Sequence, residues 1–206
     1  LQSGREVGPT ADPADAPLVF TEPALERAEL FARRGAAEDP PVESGAMLVG
    51  LLARCPESGE LFPVVTDALE ARDAETHTYS LTFTGPTWAR LQGVLNALRR
   101  QPATRAVRLV GQAHGHNFLP GNGAEPCAEC ALRTSCPNTS AVLSMADRAW
   151  HRAVFCRQPW QVGLIFGLDA MGRPVHVAYG LRHGRLAPRH YHVVPGFEPD
   201  PGSPTT

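Results

Sequence analysis

The sequence has little that would take it to nucleic acid or into a membrane. Lysine and arginine together number 19 against 21 aspartates and glutamates, a formal net charge of -2, so the chain lacks the basic footprint that phosphate-backbone binding requires. No apolar run approaches the roughly 18 residues of a membrane span, and no basic-then-apolar leader opens the chain. Internal repeats are absent. A soluble, cytoplasmic protein is expected, with neither nucleic acid nor membrane as partner. The chain opens on Leu1, which fits a processed end, an excised domain or a cloning scar.

A chain of 206 residues is long enough to bury one core and short for two. Residues 1–20 and 195–206 are rich in Gly, Pro, Ala and Asp without periodicity, and they read as flexible tails around a single domain at 21–194. Between them, Leu25, Ala28 and Phe31 predict a helix over 21–34, capped by Thr21, with Pro23 in its first turn and Gly35 past its end. Apolar stretches at 46–52, 61–69 and 79–83 predict a meander of strands. Trp88, Leu91, Leu95 and Leu98 predict a helix over 87–100. Strands are then expected at 106–111, 160–168 and 175–179, and a helix from Ser144 to about Cys156.

The strand at 106–111 delivers the chain to His114-Gly-His116. Residues i and i+2 of an extended segment project to the same side, about 7 Å apart, so this is a natural two-ligand unit. Glu43 lies upstream, at the entrance of the 46–52 strand, and Ser144-x-x-Asp147 lies downstream at a helix start. Two imidazoles and a carboxylate can hold Zn²⁺ on three sides, leaving the fourth position for water, whose proton a second carboxylate can take. Ser144 suits an N-cap, and Asp147 in the first turn is favoured by the helix dipole.

In this order the segments resemble the motif of the JAMM (MPN+, JAB domain) zinc metalloproteases, prokaryotic type. Glu43-Ser-Gly-Ala-Met-Leu-Val-Gly50 is similar to the family's first segment, and the likeness spans about residues 40–180. It implies an α/β fold: a curved mixed sheet flanked by helices, with cytidine-deaminase-like layering. It also implies that His114, His116 and Asp147 hold the catalytic zinc, that Glu43 takes the proton of the attacking water, and that Ser144 donates to the oxyanion. The activity implied is that of an isopeptidase or peptidase cutting after the C-terminus of a ubiquitin-like β-grasp protein, with E1- or E2-like enzymes as further partners. A small-molecule amidase on the same fold and a non-catalytic scaffold are the alternatives. The chain departs from the family pattern in the long 117–143 interval before Ser144, and in Ala113-His-Gly-His116-Asn117, which lacks the family's Ser-His-Pro.

Five cysteines, Cys55, Cys127, Cys130, Cys136 and Cys156, form an odd set, and three of them crowd into ten positions of that interval. Cys127-x-x-Cys130 with Cys136 suggests a metal knuckle in an insertion at 117–140. Cys156 is the leading fourth ligand for a second, structural zinc, and an iron–sulfur cluster could use the same thiolates. Pro126-Cys127-x-x-Cys130 matches half of a zinc nucleoside deaminase signature, but the chain contains no His-x-Glu to complete it. A second His-x-His at His190-Tyr-His192 has no such partner and reads as a surface feature of an edge strand. His77, His151, His176 and His183 read as isolated histidines, and Trp88, Trp150 and Trp160 as core.

Overall fold

The computed structural model describes residues 4–11, 16–120, 130–131, 133–155, 158, 160–182 and 184–196. Its strands are β1 (Arg5–Val7), β2 (Val19–Thr21), β3 (Ser44–Arg54), β4 (Leu61–Glu70), β5 (Glu75–His77), β6 (Ser80–Thr82), β7 (Arg108–Gly115), β8 (Val162–Leu168), β9 (Pro174–Arg182), β10 (Arg185–Arg189) and β11 (Tyr191–Val194). The α-helices are α1 (Glu22–Arg33), α2 (Gly85–Arg99) and α3 (Met145–Val154). Nine strands form one mixed sheet in the order β1-β11-β2-β4-β3-β7-β8-β9-β10, and β5 pairs with β6 in a separate ribbon.

The centre of the sheet follows from its sequence. β3 is buried on both faces over most of its length, as a near-continuous apolar run requires. Successive side chains alternate between faces: Ala46 and Leu48 join the core under α1, and Met47 and Val49 join clusters containing Leu91 and Leu95 of α2. α1 buries Ala24, Leu25, Ala28 and Ala32, and the three alanines let its backbone approach the sheet. Thr21 caps it as the sequence predicts, its Oγ1 accepting from the Ala24 N–H at 3.4 Å. The helix yields to a 3₁₀ turn at Arg34–Ala37. The three tryptophans are partly buried at the margins of the clusters, not central to them.

Several expectations are corrected. Residues 1–20 are not a tail throughout: Arg5–Val7 and Val19–Thr21 are strands of the main sheet, and Leu18, Val19 and Phe20 are buried. Alternation was too brief in these three-residue pieces to show. The 79–83 stretch does not continue the meander, because β6 turns back on β5. β10 lay unread between β9 and β11. β11 is not an edge strand: it runs parallel to β2 and antiparallel to β1, which takes the edge. Of the expected C-terminal tail, residues 197–206 lie outside the described residues. No helix among the described residues is long and apolar enough to cross a membrane.

Candidate metal centre

Strand register assembles the site. β3 and β7 run antiparallel with Ser44 opposite Gly115 and Gly45 opposite His114, so Glu43, one residue before β3, arrives beside His116. β7 and β8 are parallel, and the connection between them carries α3, whose N-terminus returns Asp147 to the carboxyl end of β7. Sites in α/β sheets sit characteristically outside the carboxyl ends of parallel strands. Gly115, between the histidines, has no room for a side chain: a Cβ there would lie 2.1 Å from the Ala32 carbonyl of α1.

The four side chains converge. The Nε2 atoms of His114 and His116 lie 3.1 Å apart. His114 Nε2 is 3.3 Å from Asp147 Oδ1, and His116 Nε2 is 3.4 Å from Asp147 Oδ2 and 3.5 Å from Glu43 Oε1. Tetrahedral ligands about 2.0–2.1 Å from a zinc ion stand roughly 3.3 Å from one another, and each of these pairwise contacts lies near that value, the two to Asp147 running through different carboxylate oxygens. The ligand atoms of Glu43, His114 and His116 all fall within 4.8 Å of one another, as in a group able to hold a metal ion. Glu43, His114 and His116 are 3%, 4% and 3% exposed, so water offers little alternative solvation.

Both imidazoles are fixed in the tautomer a metal needs. His114 Nδ1–H donates to Gln112 Oε1 at 2.8 Å, and His116 Nδ1–H donates to the Ser140 carbonyl at 2.7 Å. That leaves the two Nε2 lone pairs facing each other, an arrangement that calls for a cation or a proton between them. Ser140 is itself held, its Oγ accepting from the Leu168 N–H at 2.8 Å. Ser144 caps α3: its Oγ accepts from the Asp147 N–H at 3.1 Å while Asp147 Oδ2 accepts from the Ser144 N–H at 2.8 Å. The capping box aims Asp147 at the histidines.

Electrostatics point the same way. Burial pushes the Glu43 carboxyl up, with a further push from Asp147, against the pull of both imidazoles. Burial opposes charge on His116, yet the hydrogen bond to Asp147 and the Glu43 charge overcome it and raise its pKa. Burial also works against the Asp147 carboxylate, but hydrogen bonds from His114 and His116 hold it well below the usual carboxylate range. The cluster therefore favours positive charge at its centre.

The segment around Glu43 is clamped. The Glu43 N–H donates to the His77 carbonyl at 2.8 Å, tying it to the β5–β6 ribbon. Ser44 Oγ donates to the Ala32 carbonyl at 2.9 Å, and Asn117 Nδ2 donates to the carbonyls of Ala32 and Val42. Asn117 thus secures the segment that bears Glu43. Two cavities flank the cluster: one of about 180 Å³ lined by Tyr79, Leu81, Phe83, His114, Asp147 and Trp150, and one of about 370 Å³ lined by His116, Phe118, Pro137, Thr139, Val142 and Ser144. A third, of about 410 Å³ beside Arg34, Glu70 and Leu81, contains none of the four convergent residues.

Of the cysteines, Cys130 and Cys136 are free and partly exposed, as is Cys55; Cys127 and Cys156 lie outside the described residues, and so does His183. Gln112, Ser140 and Asn117 were missed as site residues, since hydrogen-bond partners of ligands have no spacing signature; only the position of Gln112, two before His114 on one strand, could have suggested it.

No family model matches the sequence, and no curated protein matches it. Solved structures resemble the fold. A protein from Desulfitobacterium hafniense, determined in solution, is 14% identical with a TM-score of 0.50, covering 88% of this chain and 95% of its own. One from Salinibacter ruber is 16% identical with a TM-score of 0.39, over 90% of this chain and 94% of that one. The former supports a mixed α/β architecture and nothing about chemistry.

Proposed function

We propose that the protein is a zinc-dependent isopeptidase or peptidase of the JAMM type, cutting after the C-terminus of a ubiquitin-like protein. One observation carries the reading: two histidines with their Nδ1 atoms tied off and their Nε2 atoms 3.1 Å apart, facing the buried Glu43 carboxylate and the half-buried Asp147 carboxylate at 3.3–3.5 Å. His114, His116 and Asp147 would hold the ion, which when bound polarises a carbonyl and acidifies water. Glu43, its proton affinity raised by burial, accepts the proton of the attacking water and returns it to the leaving amine. Ser144, whose hydroxyl oxygen already caps α3, keeps its O–H for the oxyanion.

The substrate tail fits the approach beside β6. Ser80, Leu81 and Thr82 line the cleft that also touches His114 and Asp147, so an extended peptide can add to the ribbon as a strand. The aromatic rings of Tyr79 and Phe118 pack edge-to-face at 5.1 Å, and Phe118 stacks on His116 at 5.4 Å, joining the wall of that cleft to the wall of the cavity beside His116. The chain contains no lysine, all 19 of its fixed cations being arginine. It therefore offers no side-chain amine on which a modifier could be conjugated.

The test is cleavage of fusions between ubiquitin-like β-grasp proteins and a reporter, with and without chelator. Cleavage after the terminal glycine that stops with chelator and returns with Zn²⁺ is expected. Inactivity on every such fusion, with chelator-sensitive hydrolysis of small amides instead, would transfer the site to an amidase.

A further inference from the structure

Outside this centre, a second cluster assembles where the N-terminal strand β1 pairs with β11, at whose start lies the second His-x-His. Glu6 of β1 lies directly opposite His192 of β11 in their antiparallel register, and directly opposite residues share a face of the sheet. His190 is two residues from His192, so it projects to that same face. One ligand atom from each of Glu6, His190 and His192 falls within 4.8 Å of the others, and the two rings lie 4.9 Å apart at 83°.

The nitrogen inventory gives this cluster chemical meaning. His190 Nδ1–H donates to the Pro9 carbonyl at 3.2 Å, which leaves Nε2 as a bare lone pair. A backbone carbonyl on the far ring nitrogen is how metal-binding histidines are ordinarily oriented. His190 Nε2 and His192 Nδ1 are both shut off from solvent, and neither has a hydrogen-bond partner. Buried ring nitrogens left unpaired are costly, and two of them beside one carboxylate are satisfied together by a cation. The chain turns to bring Pro9 here through Gly8, whose φ of 106° is open to glycine and strained for other residues.

We propose that Glu6, His190 and His192 form a second site for a divalent transition metal, which clips the N-terminal strand to the sheet. Two imidazoles and one carboxylate suit Zn²⁺ and its neighbours over Ca²⁺ or Mg²⁺. Glu6 is the exposed member of the three, so water completes the coordination from its side. β1 has only three residues in register with β11, and a strand that short on a sheet edge depends on whatever else holds it. The ion supplies that hold, and it links the start of the domain to its last strand.

Untagged protein is loaded with excess Zn²⁺, freed of unbound ion by gel filtration, and assayed for zinc content and for amide exchange at residues 5–7. Wild type is expected to carry one equivalent more than His190→Ala or His192→Ala. At a Zn²⁺ concentration ten times the dissociation constant, exchange at 5–7 should slow about tenfold in wild type and in His116→Ala alike, and not in Glu6→Gln. The comparison with His192→Ala subtracts every other bound ion, so it reads out whether or not the first centre holds zinc. Equal zinc in wild type and both histidine variants overturns the proposal, as does a Zn²⁺ effect on exchange that survives in Glu6→Gln.

Discussion

His114-Gly-His116 and His190-Tyr-His192 have the same spacing, and each meets a carboxylate from a neighbouring strand, yet the fold finishes them differently. The first pair lies at the end of a central strand whose crossover returns a helix N-terminus, so a second carboxylate, Asp147, arrives on the same side. Both Nδ1 atoms are fixed, and both rings are almost fully buried. The second pair flanks one strand in from the edge, with one Nδ1 fixed and Glu6 exposed. Their middle residues record the same contrast. Gly115 faces the α1 backbone with no space for a side chain, whereas Tyr191 fills the core, its ring 5.1 Å from that of Phe20. A His-x-His unit supplies two ligands; the elements packed around it decide whether they become a closed charged centre or a surface clip.

Breaking the first centre gives the largest expected effect. Asp147→Asn should remove the ion from the His114–His116 site and abolish cleavage, while His192→Ala should leave the cleavage rate unchanged; metal analysis and a fusion-cleavage assay on both variants separate the pairs. Gly115→Ala comes next. A methyl group 2.1 Å from the Ala32 carbonyl must displace α1 or β7, and urea unfolding should show a loss of about 1–3 kcal/mol. Gln112→Ala leaves His114 unoriented and should weaken zinc binding about 10–100-fold, read by competition with a chromogenic chelator.

Much of the first centre was legible because it rests on residue types at fixed spacing. The HxH unit, the acid at a strand entrance and the Ser-x-x-Asp cap each carry a local signature, and Thr21 and Pro23 marked α1 in the same way. What was not legible depends on long-range register. The opposition of Glu6 to His192, and of Ser44 to Gly115, exists only once strands from distant parts of the chain pair. β1 and β2 are three residues each, too short for alternation to stand out from coil. The carbonyl of Ser140, which orients His116, is a backbone group that no side-chain pattern announces.

A third histidine sharpens the contrast through pH. His151 is 1% exposed, its Nδ1 without a partner, and burial lowers its pKa from 6.5 to about 4. Burial acts on His116 too, but Asp147 and Glu43 reverse the outcome there. Since the folded pKa of His151 lies below the unfolded one, the unfolded chain binds the extra proton; stability is intact above pH 6.5 and falls as pH drops toward 4. Unfolding at pH 7 and pH 5 should differ by about 2 kcal/mol from this group, and His151→Gln should shrink the difference by that amount.

The central claim, that the buried cluster is a hydrolytic metal centre and not a structural knot of histidines and acids, is met most directly by Glu43→Gln. The substitution keeps the size and burial of the side chain and removes its capacity to accept a proton. Bound zinc should match wild type while cleavage falls by about 10²–10⁴-fold. Unchanged cleavage with zinc retained would contradict the role given to Glu43, and a wild-type protein that binds no zinc at His114 and His116 would contradict the account as a whole.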